Sequence, residues 1–557
     1  MTASEIQAHL YTLGDPAKAA HAQGFFKTKP GEYGEGDIFR GIRVPELRKT
    51  ARMWRKLPLE EAIVLLHSPY HEDRFVALCI LVHIFDVGTQ EAVYHTYLQH
   101  TRFVNNWDLV DASAHKIVGA YLFNRDRTPL YKLARSSTLW ERRIAIIATY
   151  YFIQRDEFAD TLALCELLLQ DTHDLMHKAM GWMLREVGKR DQVQAEMFLA
   201  AHCTVMPRTM LRYAIERFDE PRRQAYLQGK VKPDRRLACT WRAYCEVMQA
   251  ALRLQGHVKT TPLVQAKTLG RENDTTVYLK LESEQYTGSF KYRGALNKLL
   301  TLEGHPVVAA STGNHGLAVT RAMQALSLDG CIYLPENADE YKVKALRENG
   351  AILQFSGEDG VEAELAARRE AEKQGHTFVS PYNDWVVVGG QGTIGLELLQ
   401  QTKGLDCVMA AVGGGGLISG LAAVLKARNS DVQIIGCSPE RSPVMHESVR
   451  AERIVAFPVQ PTLADGTAGG IERNSITLPL CCVLVDQWVT ASEAEIAAGM
   501  RRIYLDHGKT IEGAAGVVVA CYLKLQDQLK GLRVALIICG GNVEHDRFEA
   551  IINSIEE

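Results

Sequence analysis

Apolar residues in the first two-fifths of the chain recur at helical spacing. LEEAIVLLHS, RFVALCILVHIF, ERRIAIIATYYFIQ, FADTLALCELLLQ, DLMHKAMGWMLREVGK and TMLRYAIERF each place them three and four positions apart. Short polar breaks separate these segments, and no strand-like alternation intervenes. The pattern predicts successive antiparallel helix pairs stacked as an all-α solenoid over residues 1–232. A Pro-containing basic linker and an amphipathic lead-in helix are expected over 233–250. From 251 to 557 the pattern changes. TVYLKLE, PVVAAST, GCIYLP, AILQFS, DCVMAAVG, VQIIGCSP and RVALIICGG are short apolar runs alternating with helical segments. This alternation predicts doubly wound α/β architecture with parallel sheets covered on both faces.

Length and composition fit that division. A chain of 557 residues is too long for one core, and 46% hydrophobic with 23% charged residues is an ordinary globular balance. No apolar run reaches the roughly eighteen residues that read as a membrane span. The first twenty residues lack a signal pattern, so a cytoplasmic location is expected. Twelve cysteines without a CxxC pair argue for reduced thiols and against a zinc site. Residues 1–236 carry 33 Lys+Arg against 29 Asp+Glu, whereas the remainder carries 30 against 37. The sign change suits two parts with different partners.

Three stretches of the second part carry chemistry. Lys291, in KLESEQYTGSFKYRGALN, stands at a loop-to-helix junction, where a lysine can hold an aldehyde cofactor as a Schiff base. Ser311-Thr312-Gly313-Asn314-His315 follows the strand PVVAA and opens a helix, placing small polar groups at a strand's carboxyl end. Gly413, Gly414, Gly415 and Gly416 follow VMAAV, and their amides together with the next helix suit one phosphate. A lysine, a ring-hydroxyl partner and a phosphate cradle together describe pyridoxal 5′-phosphate.

Residues from about 245 onward resemble fold-type II pyridoxal-phosphate enzymes of the threonine/serine dehydratase and serine racemase group. TTPL, GSFKYRGA, STGNHG, GGQGTIGLE, VGGGGLISG, TLADGTAGG, IEGAAG and CGGN carry the likeness. The resemblance implies two α/β subdomains and a homodimer. It makes Lys291 the cofactor-bearing and proton-transfer residue and packs Phe290 against the ring. Asn314 would bond the ring oxygen, Gly413 to Gly416 the phosphate, and Cys539 would lie beside the pyridine nitrogen. Ser311, Thr312, Gly313, Asn314 and His315 would bind the substrate carboxylate. The implied reaction is β-elimination from a small β-hydroxy amino acid such as L-threonine or L-serine, giving a 2-oxo acid and ammonia. Thr312 occupies the position of the second base in racemases, which keeps amino-acid racemisation as an alternative. Ser438 replaces the glutamate that binds a cation in some relatives, so no metal is expected. With the chain ending at Glu557, no C-terminal regulatory domain is expected.

In the first part, Trp107 and Asp111 lie one helical turn apart, with Arg143 and Trp182 further on. Singly, each has a plain reading as core filler, cap or solvated charge. Together with FRGIRVPELRK, WERRIAI, KAMGWMLREVGK and PRTMLRYAIERF, they resemble the HEAT-like alkylpurine DNA glycosylases of the AlkD family over about residues 20–225. The resemblance implies that Trp107 and Trp182 pack against a damaged nucleotide, Asp111 assists base departure and Arg143 contacts the backbone of double-stranded DNA. Aromatic faces suit a cationic alkylated base. Arg125, Arg127, Lys132, Arg135, Arg142 and Arg143 are candidates for a basic concave face. The alternatives are a solenoid kept as a scaffold, or a DNA-repair protein in which the lyase half is secondary.

Overall fold

A computed structural model describes residues 1–231, 235–302, 304–429, 431–458 and 460–554, with backbone only over 235–237. The chain forms two compact units, Met1–Asp234 and Arg235–Glu557. The expected linker at Pro233 falls outside the described residues, and the helix Arg235–Arg253 belongs to the second unit, with Trp241 and Tyr244 buried. Among the described residues no helix is long and apolar enough to cross a membrane.

The first unit is helical throughout, apart from an isolated bridge between Ile38 and Tyr70. One buried acid explains how its entry segment is held. Glu72 accepts hydrogen bonds from the backbone amides of Arg40 and Gly41, each at 2.8 Å, while Arg40 pairs with Asp73. Beside it, His71 lies between Asp37 (3.2 Å) and Asp108 (2.9 Å), and Arg74 donates to Asp37 at 2.6 Å. Burial opposes charge on His71, but the two carboxylates prevail and raise its pKa to about 9.

The second unit holds two sheets. The larger has the order β1-β2-β10-β7-β8-β9: Leu263–Gln265, Thr276–Leu281, Arg533–Ile538, Cys407–Ala411, Gln433–Pro439 and Gln487–Ala491. Only β1 runs antiparallel to its neighbour. The smaller is all parallel in the order β5-β4-β3-β6: Leu353–Phe355, Gly330–Leu334, Val307–Ala310 and Thr377–Phe378. β7 and β8 are buried along nearly their whole length, as their unbroken apolar runs require. Both sheets present their carboxyl ends to one cavity.

Candidate active site of the second unit

Each element delivers its residues by ordinary strand-to-helix geometry. Helix Lys291–Leu299 begins at Lys291, helix Asn314–Leu326 begins after β3, and helix Gly416–Arg428 begins after β7. Their starts converge on a cavity of about 600 Å³. Phe290, Lys291, Ser311, Thr312, Gly313, Asn314, His315, Gly413 to Gly416 and Cys539 all line it. The sequence separates these residues by up to 249 positions, and the fold brings all of them together.

Lys291 Nζ donates to the carbonyl of Pro381 at 3.0 Å. Among the described residues no carboxylate lies within ion-pair distance of it. Burial draws its pKa down to about 8, against the opposing pull of Cys539 and Glu512. His315 places Nε2 2.9 Å from the carbonyl of Val379, so that nitrogen carries the hydrogen. Burial, with Lys291 nearby, lowers its pKa to about 3, and the imidazole stays neutral. Ser311 Oγ accepts from the amide of Gly313 at 3.2 Å. Ser438, at the end of β8, donates to the carbonyl of Val412.

The glycine turn tests whether a phosphorylated cofactor fits. Gly415 has φ of 81°, a left-handed conformation. A Cβ on Gly414 would stand 2.6 Å from Cδ2 of Tyr382, and one on Gly413 would stand 3.0 Å from the backbone of Thr467. Gly414 has no room for a side chain and Gly413 is tightly packed, so bare backbone faces the cavity at the start of helix Gly416–Arg428, the arrangement that binds phosphate. A lysine of depressed pKa faces the same space. The residues present fit pyridoxal 5′-phosphate.

Sequence reasoning missed several residues of this site. Tyr382 covers the glycines, its hydroxyl accepting from the amide of Glu472 at 2.9 Å. Lys342, on helix Glu340–Glu348 of the smaller lobe, pairs with Asp465 at 2.7 Å. Glu512 and Asn542 complete the wall. Asp465, Glu512 and Asn542 had sequence signals, the TLADGTAGG, IEGAAG and CGGN motifs, and Tyr382 had none.

In the first unit, Trp107 and Asp111 share helix Trp107–Ala114. Arg143 holds Asp111 with two donors, at 2.9 and 2.8 Å, and donates a third to the carbonyl of Leu175. It is 4% exposed, so its guanidinium fixes Asp111 and ties that helix to Asp174–Arg190, which carries Trp182, instead of facing solvent. Trp107 stacks on Phe26 with centroids 5.4 Å apart, and Trp182 lies 5.8 Å from Tyr150. The expected basic face needs correction in part: Arg125, Lys132 and Arg135 are exposed, but the others are not free. Arg127 is spent on Asp160 and Glu157, and Arg142 on Asp171. Exposed cations also gather around helix Val44–Met53, where residues 43–56 carry six exposed Lys or Arg against Glu46 alone. Among the described residues no carboxylate lies within ion-pair distance of Arg43, Arg48, Arg52 or Arg55.

Comparison with known proteins agrees with both halves. Residues 254–540 match the family described as pyridoxal-phosphate dependent enzyme, and residues 6–218 match that described as DNA alkylation repair enzyme. An L-threonine ammonia-lyase of Thermotoga maritima is 39% identical over 313 residues, 55% of this chain and 77% of the relative. An L-threo-3-hydroxyaspartate ammonia-lyase of a Pseudomonas species is 33% identical over 314 residues, 56% of this chain and 98% of the relative. The structure of the processed form of threonine deaminase isoform 2 from Solanum lycopersicum superposes with a TM-score of 0.54 at 28% identity, covering 56% of this chain and 87% of that one. The chain thus belongs to the pyridoxal-phosphate dependent enzymes, with a region of the DNA alkylation repair family ahead of the catalytic unit.

Proposed function

We propose that the second unit, Arg235–Glu557, eliminates water from L-threonine or L-serine, releasing a 2-oxo acid and ammonia. The observation that carries this reading is Lys291 Nζ, held in the cavity by one carbonyl and brought to a pKa of about 8. The bound cofactor supplies the electron sink for the reaction. Lys291 removes the proton from the substrate Cα, and its depressed pKa gives it a substantial neutral fraction near neutral pH. Ser311, Thr312 and the amides opening helix Asn314–Leu326 hold the substrate carboxylate. Cavity charge supports a neutral side chain over a second carboxylate. Lys342 is already paired with Asp465, Arg547 is exposed, and Asp339, Asp465, Glu512 and Glu544 all line the wall. The name of the Thermotoga relative supports threonine, while that of the Pseudomonas relative identifies the competitor to exclude. The test offers purified protein each of L-threonine, L-serine and L-threo-3-hydroxyaspartate and measures 2-oxo acid. Production from the first two, abolished in Lys291→Ala, is expected; preference for hydroxyaspartate would overturn the substrate assignment.

For the first unit we propose excision of alkylated purines from duplex DNA. Arg143 fixing Asp111 beside Trp107, and the exposed cations of residues 43–56, support it. Trp107→Ala and Asp111→Asn are expected to abolish base release from methylated duplex. Unchanged release in both variants would defeat the assignment, and absence of release from the unaltered protein would leave a scaffold.

A further inference from the structure

We propose that Glu512 is a positioning residue of the cofactor site, whose carboxyl decides whether the Cys539 thiol meets the ring nitrogen as acceptor or as donor. The inference rests on the lyase reading, which puts Cys539 beside that nitrogen and Asn314 beside the ring oxygen.

Glu512 precedes helix Gly513–Leu525, and its amide donates to the carbonyl of Gly540 at 3.2 Å. A Cβ on Gly540 would lie 2.7 Å from Cδ of Glu512, so the close approach depends on that glycine. Oε2 accepts from Asn314 Nδ2 at 2.8 Å, and Oε1 accepts from Cys539 Sγ at 3.7 Å. Asn314 cannot turn its amide around, because its Oδ1 already accepts from Asn542 Nδ2 at 2.7 Å. Asn542 Nδ2 also reaches the carbonyl of Thr287 at 2.8 Å. A single chain of donors and acceptors thus runs from Thr287 through Asn542, Asn314 and Glu512, and ends on the thiol.

That chain leaves one proton position free. Asn314 fixes Oε2 as an acceptor, so a proton gained by Glu512 goes to Oε1, facing the sulfur. With Glu512 ionised, the thiol hydrogen points at Oε1 and the sulfur lone pairs face the cavity. With Glu512 protonated, the sulfur accepts from Oε1 and its own hydrogen turns into the cavity. One proton on Glu512 therefore inverts the polarity offered to the ring nitrogen. The charged and titratable groups facing this carboxyl are Lys291, Asp465 and Cys539. Burial, with Asp465 adding to it, raises its pKa to about 7 against Asn314, Cys539 and Lys291, so both states are populated near neutral pH.

The variant Glu512→Gln keeps an acceptor toward Asn314 and presents a permanent donor to the sulfur. The first readout is the S–H stretching band in the infrared spectrum of the cofactor-free protein, with the Cys539 contribution identified by subtracting Cys539→Ala. It should shift between about pH 6 and about pH 8 in the unaltered protein and stay fixed in Glu512→Gln. In the holoenzyme, the visible spectrum should lose its titration step near neutral pH in Glu512→Gln, and also in Cys539→Ala should the first variant fail to fold. A Cys539 band that ignores pH in the unaltered protein, or a spectral step that survives in both variants, would overturn the proposal. The infrared readout needs no turnover, so a shifting band without 2-oxo acid formation would defeat the lyase reading and leave Glu512 in place.

Discussion

Replacing Gly414 by alanine probes the phosphate turn with a single methyl group. The added Cβ would press into the ring of Tyr382, 2.6 Å from Cδ2. That ring is half-buried and tied by its hydroxyl to the amide of Glu472. Swinging it aside breaks a hydrogen bond of about 1 kcal/mol. Keeping it forces the turn outward, and overpacking of this kind costs about 1–3 kcal/mol. Thr477 Oγ1 donates to the carbonyl of Gly414 at 2.6 Å, so the turn cannot shift without disturbing a second contact. If the displacement is taken out of the amide cradle, cofactor affinity falls by about 5- to 150-fold. Gly466→Ala is the control, since its Cβ meets only Ala514 at an ordinary 3.8 Å in the same cavity. Titration of cofactor-free protein with pyridoxal 5′-phosphate, followed by tryptophan fluorescence, measures both. Equal affinity in Gly414→Ala and the unaltered protein, or an equal loss in Gly466→Ala, would refute the reasoning.

Three further outcomes are expected. Cofactor capture by Lys291 needs the neutral amine, so its rate should rise with pH through about 8, measured by stopped-flow absorbance; a flat profile from about pH 6 to 9 would contradict the depressed pKa. Lys342→Met removes the ion pair to Asp465 between the two lobes and should raise KM by up to about five-fold with a smaller change in kcat, read from 2-oxo acid kinetics. His71 is raised from 6.5 to about 9, so its stabilisation is fully present below about pH 6.5 and is lost as pH rises through 9; the span corresponds to about 3 kcal/mol. Melting of the full chain followed by tryptophan fluorescence should show the first unit's transition falling over that window, and His71→Gln should flatten it.

Local pattern was legible where an element is long or wholly buried. The apolar runs of β7, β8 and β10 stand out because nearly every residue is buried, whereas β2, β3, β4 and the mostly exposed β5 stand out as short apolar runs set between helices. The strands missed are β1, β6 and β9, with two to five residues each and mostly partial burial, so their residues LVQ, TF and QWVTA carry little period. The cavity-lining residues were legible because short motifs place them at strand ends. Contacts between distant segments were not. Nothing near Arg143 announces Asp111, 32 positions away, and a run of arginines reads as a solvated face until Arg127 and Arg142 are seen on their acids. Glu512 belonged to a visible motif, yet its role lies in Asn314 and Cys539, 198 and 27 positions off.

The pairing of β10 with both β2 and β7 sets the order in which the protein can be made. Strands that occupy the middle of the larger sheet come from positions 276–281, 407–411 and 533–538. A nascent chain that has not yet released Arg533 leaves β2 and β7 with an empty slot between them, and Cys539 has still to arrive. The helical unit can fold from its own 234 residues while synthesis continues. The second unit must wait for Arg533–Ile538 before its sheet closes, which leaves the edges of β2 and β7 unpaired until then. Chains cut short before Ile538 therefore deliver a folded first unit joined to an incomplete, aggregation-prone second one.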